Sequence, residues 1–250
     1  MLQDTGERII PPKAGEVSYL FNRHKMAYLF ANGLTKENVV LDAGCGTGYG
    51  SKILANNANK VYAIDYSYDA VNFAKQNYSH LKVSHIVMDV NSMGFDNNAF
   101  DLIVSFQVIE HMKSLDIYLE ELIRILKDDG TIIISTPNVQ SKQKSTDNKF
   151  HFNELTYEEA NQLFELYFDH VEFCGTHYRQ KNFLRTFIQK SFLYQVVGRK
   201  IPRKNIIKKV AKSTLRLDDF IVSKDNIEKA MDLIIVARHP KKKFKQLRGE

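Results

Sequence analysis

Apolar positions along the chain fall into two alternating patterns. Short runs rich in β-branched and aromatic residues read as buried strands: Val39–Leu41, Val61–Ile64, Val83–Met88, Phe100–Gln107, Thr131–Ser135, His170–Gly175 and Leu233–Ala237. Between them, stripes at helical spacing predict helices over Ala14–Asn32, Tyr49–Asn57, Tyr68–Tyr78, Ser114–Lys127 and Tyr157–Phe168. Asp128-Asp129-Gly130 predicts a turn between the fourth helix and the fifth strand. Strands and helices alternating at this interval imply an α/β fold with a parallel, doubly wound sheet. Ligands of such sheets sit beyond the carboxyl ends of the strands. Asp42, Asp65, Asp89 and Gln107 all fall at those ends.

Composition adds bounds to this picture. The chain has 250 residues, 44% hydrophobic, enough to bury one sizeable core, and no apolar run long enough to span a bilayer. Its first residues, MLQDTGERIIPPKAGE, lack the apolar stretch of a signal peptide. Cys45 and Cys174 are the only cysteines and suggest neither a zinc site nor a disulfide framework, so a reducing, cytoplasmic setting is expected. Charge changes the picture more. The formal net charge is +6, yet 12 Lys or Arg and no acid lie between Arg179 and Arg216, so the rest of the chain is net acidic. Within that segment Lys204, Lys208, Lys212 and Arg216 recur every four residues, beside an apolar face of Ile206, Ile207 and Val210. This is the pattern of a basic amphipathic helical insertion before the last strand. It suits a lid or a homodimer element, or peripheral contact with the inner membrane surface. Nucleic acid fits less well, because Phe183, Phe187 and Phe192 follow the apolar stripe and do not interleave with the charge. Four units result: an N-terminal arm and helix (1–34), a ligand-binding core (35–178), the basic insertion (179–219), and the last strand with a basic tail (220–250).

The chemistry concentrates in VVLDAGCGTGYG, residues 39–50. Glycine tolerates positive φ in a tight turn, and its missing Cβ lets a ligand lie against the backbone. The helix that follows offers unpaired N–H groups and a partial positive charge. The dinucleotide spacing G-x-G-x-x-G fails here, since Tyr49 or Ser51 stands where its third glycine belongs. Asp65, at the end of the second strand, can accept two hydrogen bonds from a ribose diol. Tyr66 can cover an adenine face, Asp89 can accept from an exocyclic amine, and Val90 can offer its N–H to the ring. Cys45 lies among the glycines, and Phe106 and Gln107 end the fourth strand on the same rim.

In order and spacing, VVLDAGCGTGYG, VYAIDYS, VMDVNSMGFDNNAFDLIVSFQVIEHM and LKDDGTIIISTPN resemble motif I, post-I, II/III and the strand-five motif of class I S-adenosylmethionine-dependent methyltransferases, over about residues 35–140. The resemblance implies a Rossmann-like, doubly wound seven-stranded sheet whose last strand is antiparallel. It also implies S-adenosylmethionine over Gly44, Gly46, Gly48, Asp65 and Asp89, with Asp42 helping to hold the cofactor's amino-acid end. A looser resemblance links Thr5-Gly6-Glu7-Arg8, His151-Phe152-Asn153-Glu154-Leu155-Thr156 and LDDFIVSKDNIEKAMDLIIVARHP to methyltransferases of cell-surface polysaccharide biosynthesis. There Leu155 stands where an aromatic residue is usual. That likeness implies a saccharide hydroxyl, or a lipid-linked glycan precursor, as the acceptor.

Methylation of a hydroxyl needs a proton removed as the bond forms, a task suited to histidine. His111, just past the fourth strand, is the first candidate base, with Glu110 as its orienter or as a metal ligand; His151 is the second candidate, and His24 can reach the pocket from the N-terminal helix. Spacing alone assigns no metal site. A Pro-Pro-aromatic motif for DNA amino groups is missing after the fourth strand, where Ser105-Phe106-Gln107-Val108 stands. Two other readings stay open. One is a quinone- or phenol-type O-methyltransferase using Glu110 with a metal. The other is a non-catalytic cofactor-binding protein that engages RNA or membrane through the basic insertion.

Overall fold

The computed structural model describes residues 9–12, 16, 18–140, 148, 150–179 and 215–245. Its elements run α1 (Tyr19–Asn32), β1 (Val39–Ala43), α2 (Tyr49–Leu54), β2 (Lys60–Asp65), α3 (Tyr68–Asn77), β3 (Val83–Val87), β4 (Phe100–Phe106), α4 (Leu115–Ile125), β5 (Leu126–Pro137), α5 (Tyr157–Tyr167), β6 (Phe168–Tyr178), β7 (Phe220–Ser223), β8 (Asp232–Pro240) and α6 (Lys242–Lys245). The strands form one sheet in the order β3-β2-β1-β4-β5-β8-β6-β7. β1 to β5 are mutually parallel, and β8 runs antiparallel to both β5 and β6. The fold is thus a Rossmann-like methyltransferase fold with its late strand reversed.

The sheet has eight strands where seven were expected. The addition is Phe220–Ser223, an antiparallel edge partner for a β6 that runs on to Tyr178, beyond the expected Gly175. Four residues, of which only Phe220 is buried, leave little pattern to read. α1 starts at Tyr19 and not Ala14, where Ser18 accepts a hydrogen bond from the Phe21 N–H and caps it. The Asp128–Gly130 turn is absorbed into β5, with Phe100 paired to Leu126 and Leu102 to Thr131. The expected basic insertion falls almost wholly outside the described residues. Among the described residues, no helix is long and apolar enough to cross a membrane.

The period of two along the strands divides the core. Leu41, Ala43, Ile103, Ile132 and Ile134 face α4 and α5, packing against Tyr118, Leu119, Leu122 and Phe164. Val40, Leu102, Val104 and Ile133 face α1 and α2, against Tyr28, Ala31 and Leu54. Asp42 follows Val40 by two residues, so its carboxylate also points toward α1 and α2. That orientation governs what Asp42 can touch.

Candidate functional site

A cavity of about 460 Å³ opens along the carboxyl ends of β1, β2, β3 and β4. The sequence placed Gly44, Cys45, Gly46, Asp65, Tyr66, Asp89, Val90, Phe106, Gln107 and His111 at this rim, and all of them line it. Asp42, Gly48, Glu110 and His151 stand outside its wall. Ile9, His24, Tyr28, Thr47, Tyr49, Asn91, Val108, Met112, Phe150 and Phe152 complete the lining.

All three loop glycines adopt positive φ, 84° at Gly44, 52° at Gly46 and 83° at Gly48, but for different reasons. A Cβ on Gly44 would strike the Val108 side chain, and one on Gly48 would meet Ala74 of α3 at 2.5 Å. These two glycines let the loop pack against protein, which corrects the expectation that Gly48 leaves room for a ligand. Only Gly46 has nothing within 4 Å of its notional Cβ, so its bare backbone forms the open cradle. Its N–H donates to Asp65 Oδ2 at 2.9 Å, while Asp65 Oδ1 accepts the Ser67 N–H at 2.9 Å and ties the rim to the start of α3. We expect Gly48→Ala to cost about 2–4 kcal/mol, from the left-handed backbone and the collision with Ala74. Gly46→Ala should cost only about 1 kcal/mol of stability, yet obstruct the cradle. Thermal melts with and without S-adenosylhomocysteine separate the two: Gly46→Ala should lose the ligand's stabilisation more than the fold.

Asp42 is fully buried. Its Oδ2 accepts from the Ser51 hydroxyl at 2.6 Å and its Oδ1 from the Tyr28 hydroxyl at 3.2 Å. It therefore sits behind the wall and positions Tyr28, which is in it. Burial raises its carboxyl to about 7 against the hydrogen bonds from Ser51 and Tyr28, with Asp65 adding to the rise. Because the folded form holds this proton more tightly than the unfolded chain, its contribution to stability declines as pH rises from about 4 to about 7. Asp42→Asn keeps the shape and removes the titration. The variant should lose roughly 3 kcal/mol less stability than the parent between pH 5 and pH 8, as read by urea unfolding at the two pH values.

Asp89 is exposed where the cavity meets the end of β3, its Oδ1 accepting from the Asn91 backbone at 2.8 Å and side chain at 3.0 Å; Tyr66, 80% exposed, stands on the lip. Gln107 occupies the left-handed region at φ 57°, uncommon for a non-glycine, and marks stored strain where β4 ends. Its N–H donates to the Ser135 carbonyl at 2.8 Å and its side-chain amide to Asp232 at 3.5 Å. Asp232 is in turn gripped bidentately by Arg23 of α1. The next residue, His24, presents its ring to the cavity one turn before Tyr28. Burial holds His24 down at about 4, Asp232 opposing and Arg23 reinforcing, so it is neutral near pH 7. The N-terminal arm joins the cover through Ile9, whose carbonyl accepts the Thr47 hydroxyl at 3.1 Å.

At the far end lie the acceptor-side candidates. His111 Nδ1 is 3.0 Å from the Phe150 carbonyl, which can only accept, so Nδ1 is the donor, and in the neutral ring Nε2 is left as the acceptor. His151 Nδ1 bonds Glu154 Oε1 at 2.8 Å. The two rings meet edge to face, 5.0 Å between centroids. Glu110 is 1% exposed and accepts from the Thr136 hydroxyl at 3.3 Å. One ligand atom from each of Glu110, His111 and His151 lies within 4.8 Å of the others. Their meeting depends on backbone: the Glu110 carbonyl accepts the N–H groups of Phe152 and Asn153, at 2.8 and 3.1 Å.

Residues 34–196 match the family described as "Methyltransferase domain". The chain belongs to the methyltransferase family. The methyltransferase "Probable S-adenosylmethionine-dependent methyltransferase Rv3030" of Mycobacterium tuberculosis is 34% identical over 175 residues, covering 68% of this chain and 63% of the relative. A "Ubiquinone biosynthesis O-methyltransferase" of Glaesserella parasuis is 32% identical over 133 residues, covering 50% of this chain and 56% of the relative. The chain spans less than two thirds of the length of the curated relatives it matches. Among solved structures, a SAM-dependent methyltransferase of Thermotoga maritima shares the fold with a TM-score of 0.59 at 17% identity, covering 88% of this chain and 92% of that one. The matched family segment takes in the whole cradle from Val39 to Gly50 and the Glu110–His111 pair, and α1, which supplies His24 and Tyr28, lies outside it.

Proposed function

We propose that this protein transfers a methyl group from S-adenosylmethionine to a hydroxyl of a small acceptor. The observation that carries the reading is one cavity with two unlike ends: an open glycine backbone flanked by acids, and an imidazole flanked by Phe150, Phe152 and Met112. The open space at Gly46 and the carboxylate of Asp65 beside it fit an uncharged, hydroxyl-bearing ribose. When bound, S-adenosylmethionine supplies a methyl group already activated on a positively charged sulfur. Asp65 accepts hydrogen bonds from the ribose, Asp89 and Val90 meet the base, and Tyr66 covers it. Tyr28, His24 and the arm at Ile9 exclude water from the reacting end. His111 meets the acceptor hydroxyl, with its lone pair held at Nε2 by the Phe150 carbonyl.

Phe150 and Phe152 offer flat apolar faces to the acceptor. We take a saccharide, free or lipid-linked, as the first acceptor class, supported by the His151–Thr156 segment that supplies Phe152. A phenolic or quinone-type acceptor is the second, supported by the ubiquinone-pathway relative and by Glu110 standing beside two histidines. The basic segment Arg179–Arg216 fits contact with an anionic membrane surface, which would suit a lipid-linked acceptor. Calorimetry with S-adenosylhomocysteine tests the cofactor end; a chain that fails to bind it overturns the proposal. Methyl-labelled cofactor incubated with a panel of nucleotide sugars, and separately with catechol, divides the acceptor classes. Label in the sugars supports the first, and label in catechol alone supports the second.

A further inference from the structure

The geometry points to a divalent-cation site formed by Glu110, His111 and His151 at the acceptor end of the cavity. The three side chains come from two places in the chain, the turn after β4 and the loop before α5, and put one oxygen and two ring nitrogens within 4.8 Å of one another. Ligands about 2.1 Å from a tetrahedral ion lie roughly 3.4 Å apart, so small rotations of these side chains close the set.

Two further observations favour a cation over a plain polar cluster. Each histidine has its Nδ1 tied to an oxygen, His111 to the Phe150 carbonyl at 3.0 Å and His151 to the Glu154 carboxylate at 2.8 Å. This is the outer-shell arrangement that fixes a metal-binding histidine, and with Nδ1 so engaged an ion would take Nε2 of each ring. The acid is no surface carboxylate: Glu110 is 1% exposed, its carboxylate held by the Thr136 hydroxyl at 3.3 Å and close to both rings. A neutral-nitrogen pair with one carboxylate suits zinc, manganese, cobalt or ferrous iron better than calcium. Of the three residues only His111 is in the cavity wall, so the side of the ion away from Glu110 and His151 faces the cavity.

On the reading above, such an ion would bind the acceptor hydroxyl and ease release of its proton to water, and the oxygen would take the methyl as the sulfur keeps the carbon–sulfur electron pair. His111 would then act as a ligand and not as the base. The test is Co(II) titration of chelator-treated full-length protein, followed by visible absorption, with S-adenosylhomocysteine affinity measured in parallel. One equivalent of Co(II) with ligand-field bands is expected in the parent. The bands should be lost in His111→Ala and His151→Ala, and Glu154→Gln should weaken binding about 10–100-fold. Absence of Co(II) binding, or binding unchanged in His151→Ala, overturns the site. Because Glu110→Gln can fail to fold, the histidine variants carry the decision, checked by their melting curves. If S-adenosylhomocysteine binds and Co(II) does not, only the metal site falls. The reverse result removes the methyltransferase reading while leaving the metal site standing.

Discussion

His111→Ala is expected to lower methyl transfer by about 10²–10⁴-fold, the range set by loss of a group that handles the acceptor proton, while leaving S-adenosylhomocysteine affinity within about twofold. The split follows from placement. His111 lies with Met112, Phe150 and Phe152, whereas the groups proposed to hold the nucleoside, Gly46, Asp65 and Asp89, lie after β1, at the end of β2 and after β3. Its loss should also leave the fold in place. The ring is only half-buried, and the backbone bonds that hold the loop before α5, from the Phe152 and Asn153 N–H groups to the Glu110 carbonyl, do not use it. Single-turnover transfer from labelled cofactor and calorimetry on the same preparation read the two quantities. Transfer within threefold of the parent would remove His111 from the chemistry, whether as base or as ligand.

The rim was legible because it obeys local rules. A buried strand announces itself by its β-branched run and its end by an acid or glycine, and three successive strand ends set Asp42, Asp65 and Asp89 along one rim in the sequence alone. What local rules do not carry is which way a residue faces when two elements compete for it. Asp42 looked like a ligand-holding acid, but it shares the face of Val40, and α1 and α2 supply Tyr28 and Ser51 to occupy both its oxygens. The alternation along β1 held that answer, had it been followed one residue further. Gly48 could not be read in the same way, because Ala74, the atom its missing Cβ avoids, comes from α3. The same holds for the acceptor end. His111 and His151 are forty residues apart in sequence, and they meet because the loop before α5 folds back onto the Glu110 carbonyl. The strand Phe220–Ser223 was missed for its brevity. The α1 stripe and the reach of His24 to the pocket were legible, but not the place of Tyr28 beside it in the wall.

At the cradle the expected loss is of binding and not of turnover: Asp65→Ala should weaken S-adenosylhomocysteine by about 10²–10³-fold. Hydrogen bonds to a charged carboxylate contribute about 1.5–3 kcal/mol each, and a ribose diol would make two. The carboxylate also has work within the protein, because its oxygens take the N–H groups of Gly46 and Ser67, each at 2.9 Å. Removing it leaves the open glycine without its anchor on β2 and releases the N-cap residue of α3, so the cradle loses shape as well as a partner. Gly46 and Ser67 are only half-buried, so water reaches the stranded N–H groups in part, and a stability loss of about 1–3 kcal/mol should accompany the binding defect. Asp65→Asn distinguishes the two contributions. It keeps the size of the side chain and one carbonyl oxygen, so the anchor to Gly46 or Ser67 can persist while charge and one acceptor are lost. Its affinity should fall only about tenfold, with a smaller drop in melting temperature than in Asp65→Ala, since one of the two N–H groups keeps its acceptor. Asp65→Ala with ligand affinity within threefold of the parent would mean that the nucleoside lies elsewhere, and the alignment of glycine backbone and strand-end acids would then serve the fold alone.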